Sequence, residues 1–121
     1  MKKVVYIEDN PANQRLVTQV FKRLPKLELL NADEPISGLE LIEKHQPDLI
    51  LLDINLPGMD GFEVFKRLRE KQGCENTPVI AISANAMQED IDKALALGFD
   101  DYIVKPVNIS ALLQVLENTL Q

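Results

Sequence analysis

The 121-residue sequence predicts an α/β fold, a doubly wound (βα)5 sandwich around a five-stranded parallel sheet of order 2-1-3-4-5. Three observations carry that prediction. Five short apolar runs, of which Leu49 to Leu52 is the densest, suit strands buried on both faces. Each run is followed by apolar residues at helical spacing, so that strand and helix alternate along the whole chain. Turn and cap residues, among them Asn10-Pro11, Pro57-Gly58 and Gly98, punctuate the units. Strictly alternating units require right-handed crossovers, which lay helices over both faces of the sheet.

The elements follow in order. Val4 to Ile7 make the first strand, which ends at Glu8-Asp9. Leu16, Val20 and Leu24 recur at helical spacing behind it, with Pro11 in the first turn and Asn10 or Asp9 as cap. Residues 27–32 form a weaker second strand, and Ile36, Leu39 and Ile42 stripe a second helix that stops before Pro47. The third strand covers residues 49–53. Phe62, Phe65 and Leu68 open a third helix behind an Asp60 cap. Val79 to Ile82 form the fourth strand, ending at Ser83, and Ile91, Ala94 and Leu95 line a fourth helix that Gly98-Phe99 closes. Residues 101–104 are the fifth strand; Ile109, Leu112, Leu116 and Leu120 stripe the last helix. These Leu and Ile stripes are expected to be core.

A chain of this length makes one compact domain, residues 1–121, and hides enough surface to fold without disulfides or structural metal. The single cysteine, Cys74, has no partner within the chain, which fits a reducing compartment. No apolar run is long enough for a signal peptide or membrane span, so a cytoplasmic location is expected. Net charge is −6 with the basic residues dispersed, which argues against a nucleic-acid or membrane partner.

Ligands of such folds bind beyond the carboxyl ends of the strands, where strand order reverses. The residues there are Glu8-Asp9, Asp53, Ser83 and Lys105. Each alone has an ordinary explanation as a cap, a turn residue or a solvated charge. In the 2-1-3-4-5 order, however, the first and third strands are neighbours, and three acids meet. Clustered carboxylates repel unless a cation intervenes, and hard oxygen donors without His or Cys suit Mg²⁺. Lys105 and Ser83 in the same basin supply an ammonium and a hydroxyl for the oxygens of a phosphoryl group. Asp53 is then placed as a nucleophile forming an acyl-phosphate. Pro106 cannot extend the fifth strand; a cis Lys105–Pro106 bond would aim Lys105 into the basin, and a trans proline opening the last helix is the alternative.

With these residues in view, the sequence resembles a receiver domain of two-component response regulators, a flavodoxin-like fold, over essentially its whole length. The resemblance rests on Ile7-Glu8-Asp9-Asn10, Leu52-Asp53-Ile54-Asn55-Leu56-Pro57-Gly58-Met59-Asp60-Gly61, Ile82-Ser83-Ala84 and Val104-Lys105-Pro106. It implies that Asp53 is the phosphoacceptor and that Glu8, Asp9, Asp53 and the backbone carbonyl of Asn55 hold Mg²⁺. It implies further that Ser83 is the switch hydroxyl, Tyr102 the switch aromatic and Lys105 the phosphate-binding lysine. The phosphoryl donor it implies is a phosphohistidine on a sensor histidine kinase or a histidine phosphotransfer protein. The output it implies is a downstream protein bound by the fourth helix, fifth strand and fifth helix. Such a chain is a phosphoacceptor switch that assists its own phosphotransfer and dephosphorylation, not a turnover enzyme.

The lone histidine, His45, ends the second helix and suits the helix dipole better than phosphotransfer. Little follows the fifth helix, so either a single-domain regulator or a receiver from a larger hybrid kinase is expected. Three other readings compete. A flavin-binding module needs a phosphate cradle where Glu8-Asp9-Asn10-Pro11 is acidic. A phosphohydrolase needs a general acid near the leaving group, where Asn55 stands. A pure interaction module would have no use for the acid cluster.

Overall fold

In the computed structural model, which describes residues 1–120, strands and helices alternate without exception. The strands are β1 (Lys2–Ile7), β2 (Leu27–Ala32), β3 (Leu49–Asp53), β4 (Val79–Ser83) and β5 (Asp101–Val104). The helices between and after them are α1 (Pro11–Phe21), α2 (Pro35–His45), α3 (Gly61–Arg69), α4 (Gln88–Leu97) and α5 (Ile109–Leu120). All neighbouring strands pair in parallel, in the order β2-β1-β3-β4-β5. The expected architecture is therefore the one observed.

The sheet separates two apolar layers by the two-residue period of its strands. Val4, Tyr6, Leu49, Leu51, Ile80, Ile82 and Ile103 face α1 and α5, where Val17, Phe21, Leu112 and Leu116 meet them. Val5, Ile7, Ile50, Leu52, Val79 and Ala81 face the other way, against Leu39 and Ile42 of α2, Val64, Phe65 and Leu68 of α3, and Ala94 of α4. Every residue of β3 and β4 is buried, as strands covered on both faces must be. Phe99 stacks on Phe65 at 4.2 Å between ring centroids and meets Phe62 edge-on at 6.0 Å, tying the end of α4 to α3.

Helix ends follow local chemistry. Asn10, rather than Asp9, caps α1, accepting at Oδ1 from the Ala12 and Asn13 amides. Asp60 caps α3 through the Glu63 amide. Gly98 closes α4 at φ 116°, a left-handed conformation that suits glycine. His45 lies in the last turn of α2, which Gln46 closes. Cys74 is buried between α3 and β4, and burial pushes its thiol pKa up.

The apolar stripes are narrower than their sequence spacing suggests. Ile36, Leu95 and Ile109, all expected in the core, are exposed. On α4 only Ala94 is buried, because the helix covers β5, the last strand, where the sheet offers little surface to pack against. Ile109 instead lines an open groove between α1 and α5. Leu24, expected within the first helix, lies in the turn beyond Phe21 and packs against the α1–α5 layer. Among the described residues, no helix is long and apolar enough to cross a membrane.

Candidate functional site

Strand direction alone gathers the candidate residues at one edge. Parallel strands all end on the same side of the sheet, and Glu8, Asp53, Ser83 and Lys105 sit at the ends of β1, β3, β4 and β5. Within that edge the strand alternation sorts them. Glu8 and Asp53 continue the α1–α5 face set by Tyr6 and Leu51, and Lys105 continues the face of Ile103. Ser83 continues the opposite face, with Val79 and Ala81, and Tyr102 packs against that same layer.

On the first face, one oxygen each from Glu8, Asp9 and Asp53 lie within 4.8 Å of one another. Glu8 is 0% and Asp53 1% exposed, while Asp9 is open to solvent. Lys105 bridges the two buried acids, with Nζ 2.9 Å from Asp53 Oδ2 and 3.2 Å from Glu8 Oε1. Asp53 Oδ1 accepts from the Asn55 amide at 2.9 Å. The Lys105–Pro106 peptide bond is cis.

Glu8 is further enclosed. Its Oε1 accepts from the Tyr6 hydroxyl at 3.2 Å and from Asn13 Nδ2 at 3.1 Å, and its Oε2 from the Asn10 amide at 3.2 Å. The Gln14 side-chain amide donates to the Glu8 backbone carbonyl. Tyr6, Asn13 and Gln14 were not singled out in the sequence. The available signal was the two-residue strand period, which sets Tyr6 and Glu8 on one face.

The electrostatics follow from this crowding. Burial, and then the Asp53 carboxylate, push Glu8 above the usual glutamate range; the Asn10 amide and Lys105 pull the other way without reversing it. Burial lowers the Lys105 pKa, but Asp53 and Glu8 outweigh it and hold the ammonium above the ordinary lysine value. Burial and the Glu8 charge drive the Tyr6 phenol strongly upward, so it stays a donor. Three acids and one ammonium leave net negative charge, and the donors are hard oxygens. That set fits Mg²⁺. His45 ends α2 before β3, and Cys74 lies in the connection between α3 and β4, both on the far edge of the sheet.

Ser83 joins the site through Asn55. Its hydroxyl donates to Asn55 Oδ1 at 3.1 Å and accepts from the Asn85 amide at 3.1 Å. Tyr102 connects one step further on, its hydroxyl donating to the Asn85 carbonyl at 2.9 Å. A hydrogen-bonded path thus runs from Asp53 through Asn55, Ser83 and Asn85 to Tyr102. Among the described residues, no buried side-chain polar atom lacks a partner.

Known proteins share this fold. A family model described as the response regulator receiver domain matches residues 4–117. The polar-differentiation response regulator DivK of Brucella ovis is 33% identical over 119 residues, which cover 98% of this chain and 96% of DivK. The receiver domain of sensor histidine kinase PA1611 from Pseudomonas aeruginosa, solved with a magnesium ion in its active-site cleft, superposes with a TM-score of 0.87 at 28% identity. That match covers 98% of this chain and 97% of PA1611's domain. The chemotaxis protein CheY4 of Vibrio cholerae gives a TM-score of 0.89 at 27% identity, covering 98% of both chains. With its fold, its strand-end residues and its relatives in agreement, the chain belongs to the response regulator receiver domain family.

Proposed function

We propose that residues 1–121 act as one phosphorelay receiver, in which Asp53 accepts a phosphoryl group from a phosphohistidine of a sensor histidine kinase or histidine phosphotransfer protein. Receiver domains are phosphoacceptor switches that work with such donors and with downstream targets. The observation that carries the reading for this chain is the Lys105 ammonium, held 2.9 Å from Asp53 Oδ2 at the mouth of a buried acid cluster.

In this reading an Asp53 carboxylate oxygen attacks phosphorus as the phosphorus–nitrogen bond of the donor breaks. The imidazole, protonated at its other nitrogen, departs neutral. The Asn55 amide orients Asp53 through Oδ1. Lys105 follows the charge from the carboxylate to the phosphoryl oxygens. Glu8, Asp9, Asp53 and the backbone carbonyl of Asn55 would hold Mg²⁺, which when bound neutralises phosphoryl charge and orients donor and acceptor. The magnesium in the PA1611 receiver and the oxygen-only donor set here support that assignment. Loss of the phosphoryl group to water uses the same residues.

Switching then rests on the Ser83 face. The new group carries roughly −1.5 to −2 charges and three strong acceptors. Ser83 trades its bond to Asn55 for one of those oxygens and draws the β4–α4 loop with it; Tyr102, bonded to that loop at Asn85, moves in response. The surface read by a downstream protein is α4–β5–α5. A near-complete swing needs about 5 kcal/mol of preference for one state. Charge-assisted bonds from Ser83 and Lys105 supply much of it. The cytoplasm is the proposed place of action.

Mass spectrometry after incubation with a small acyl-phosphate donor and Mg²⁺ tests the reading. One labile phosphoryl adduct is expected, absent with a chelator and in Asp53→Asn. An adduct on a serine, threonine or histidine instead overturns it.

A further inference from the structure

The tyrosine hydroxyl beneath the acid cluster has no part in the phosphotransfer just described. Glu8 immediately follows β1 and lies two residues beyond Tyr6, so its side chain continues the face on which Tyr6 stands. The Tyr6 ring is wholly buried in the α1–α5 layer, and its hydroxyl emerges at Glu8 Oε1, 3.2 Å away. Asn13 Nδ2 and Lys105 Nζ also donate to Oε1, at 3.1 and 3.2 Å. Oε2, which accepts from the Asn10 amide, is the less saturated oxygen. A glutamate has one more rotatable bond than an aspartate, and that freedom must be removed before its carboxylate holds a fixed place. A phenol rooted in a packed core is a stiff brace for the purpose, because its own ring is held on all sides.

We propose that Tyr6 is a positioning residue for Glu8: its hydroxyl pins Oε1 so that Oε2 is presented to a divalent cation, and it thereby sets the protein's magnesium affinity. The inference rests on the reading of Glu8 as a metal-site residue. It assigns Tyr6 no contact with cation or phosphoryl group.

Magnesium chloride titrated into the isotope-labelled full chain, followed by amide NMR shifts, gives the dissociation constant and shows folding in the same spectra. Tyr6→Phe is expected to weaken magnesium roughly tenfold, the range found for hydrogen-bond partners of metal ligands. Glu8→Asp shortens the side chain by one methylene and withdraws the carboxylate from the hydroxyl. In that background Tyr6→Phe should change the constant by less than about twofold, since the two sites no longer couple. Equal constants for the wild type and Tyr6→Phe overturn the inference, as does an equal loss in both backgrounds, which marks a structural hydroxyl only. If Glu8→Gln leaves magnesium affinity unaltered, Glu8 is no metal-site residue, and this inference falls with that reading.

A spectroscopic measurement covers the case in which Tyr6→Phe does not fold. The chain has two tyrosines and no tryptophan, so Tyr102→Phe leaves Tyr6 as the one phenol. Its ultraviolet difference spectrum should change along the magnesium titration, with the midpoint of the amide shifts. A flat spectrum at saturating magnesium overturns the inference.

Discussion

Lys105 meets Asp53 across 52 residues of sequence, its ammonium 2.9 Å from a carboxylate that is 1% exposed. The same ammonium touches Glu8, so one cation offsets two buried anions. A buried charge without a partner is costly, and that cost sets the behaviour of the metal-free protein.

Lys105→Ala should therefore destabilise the metal-free chain by about 2 kcal/mol. That is below the roughly 3–5 kcal/mol of a fully buried pair, because the Lys105 side chain is 18% exposed. Urea denaturation with and without magnesium measures it. Magnesium should narrow the gap, since a divalent cation takes over the countercharge. A gap unaltered by magnesium would contradict the shared role.

Glu8→Gln should change how stability depends on pH. The folded pKa of Glu8 is raised above its unfolded value of 4.5, so the folded state holds the proton more tightly. Its contribution is fully present below pH 4.5 and is lost as pH rises through the folded value. In chelator, Glu8→Gln should be free of that loss and more stable than the wild type at neutral pH. Urea midpoints across the pH series decide the matter; a parallel profile for the two proteins would refute it.

Asn55→Ala removes the acceptor of the Ser83 hydroxyl bond, and with it the link between Asp53 and the β4–α4 loop. The expected loss is about 1 kcal/mol, the net worth of one such hydrogen bond. Hydrogen exchange at residues 84–87 should quicken while β3 and β4 keep their protection. Unaltered exchange in the loop would show that Asn55 does not restrain it.

Phe99→Ala should cost about 3–4 kcal/mol and loosen α4, which buries only Ala94 of its own residues. Phe99 is buried and stacks on Phe65, so its removal empties the joint between α3 and α4. Urea midpoints give the size, and exchange along Gln88–Leu97 gives the place. Loss of protection in α1 as large as in α4 would argue for a general rather than a local effect.

Much of this was legible in the residues. Four apolar strand positions running into Asp53 announce a buried strand that surfaces at a carboxylate, because a continuous run permits no wet face. Gly98 and Asp60 announce their caps by their own conformational and hydrogen-bonding chemistry. Ile36, Leu95 and Ile109 misled, since helical spacing tells which residues share a face but not how much sheet lies beneath it. The strand-end position of Ser83 points to the Asp53 basin, but not to its partner there: its hydroxyl bonds to the Asn55 side chain. Strand alternation turns Ser83 toward the α2–α4 layer, and the loop after β3 supplies Asn55 there.

By itself the sequence determined the alternation of strands and helices and the identity of the groups at the strand ends. Both depend on local periodicity and on side-chain chemistry. Only the tertiary structure decided which atoms meet: Tyr6 and Asn13 on Glu8, Lys105 on two acids at once, Ser83 on Asn55, Tyr102 on Asn85. Hydrogen bonds act over about 3 Å, and such proximity between distant segments is set by strand register and packing rather than by neighbours along the chain.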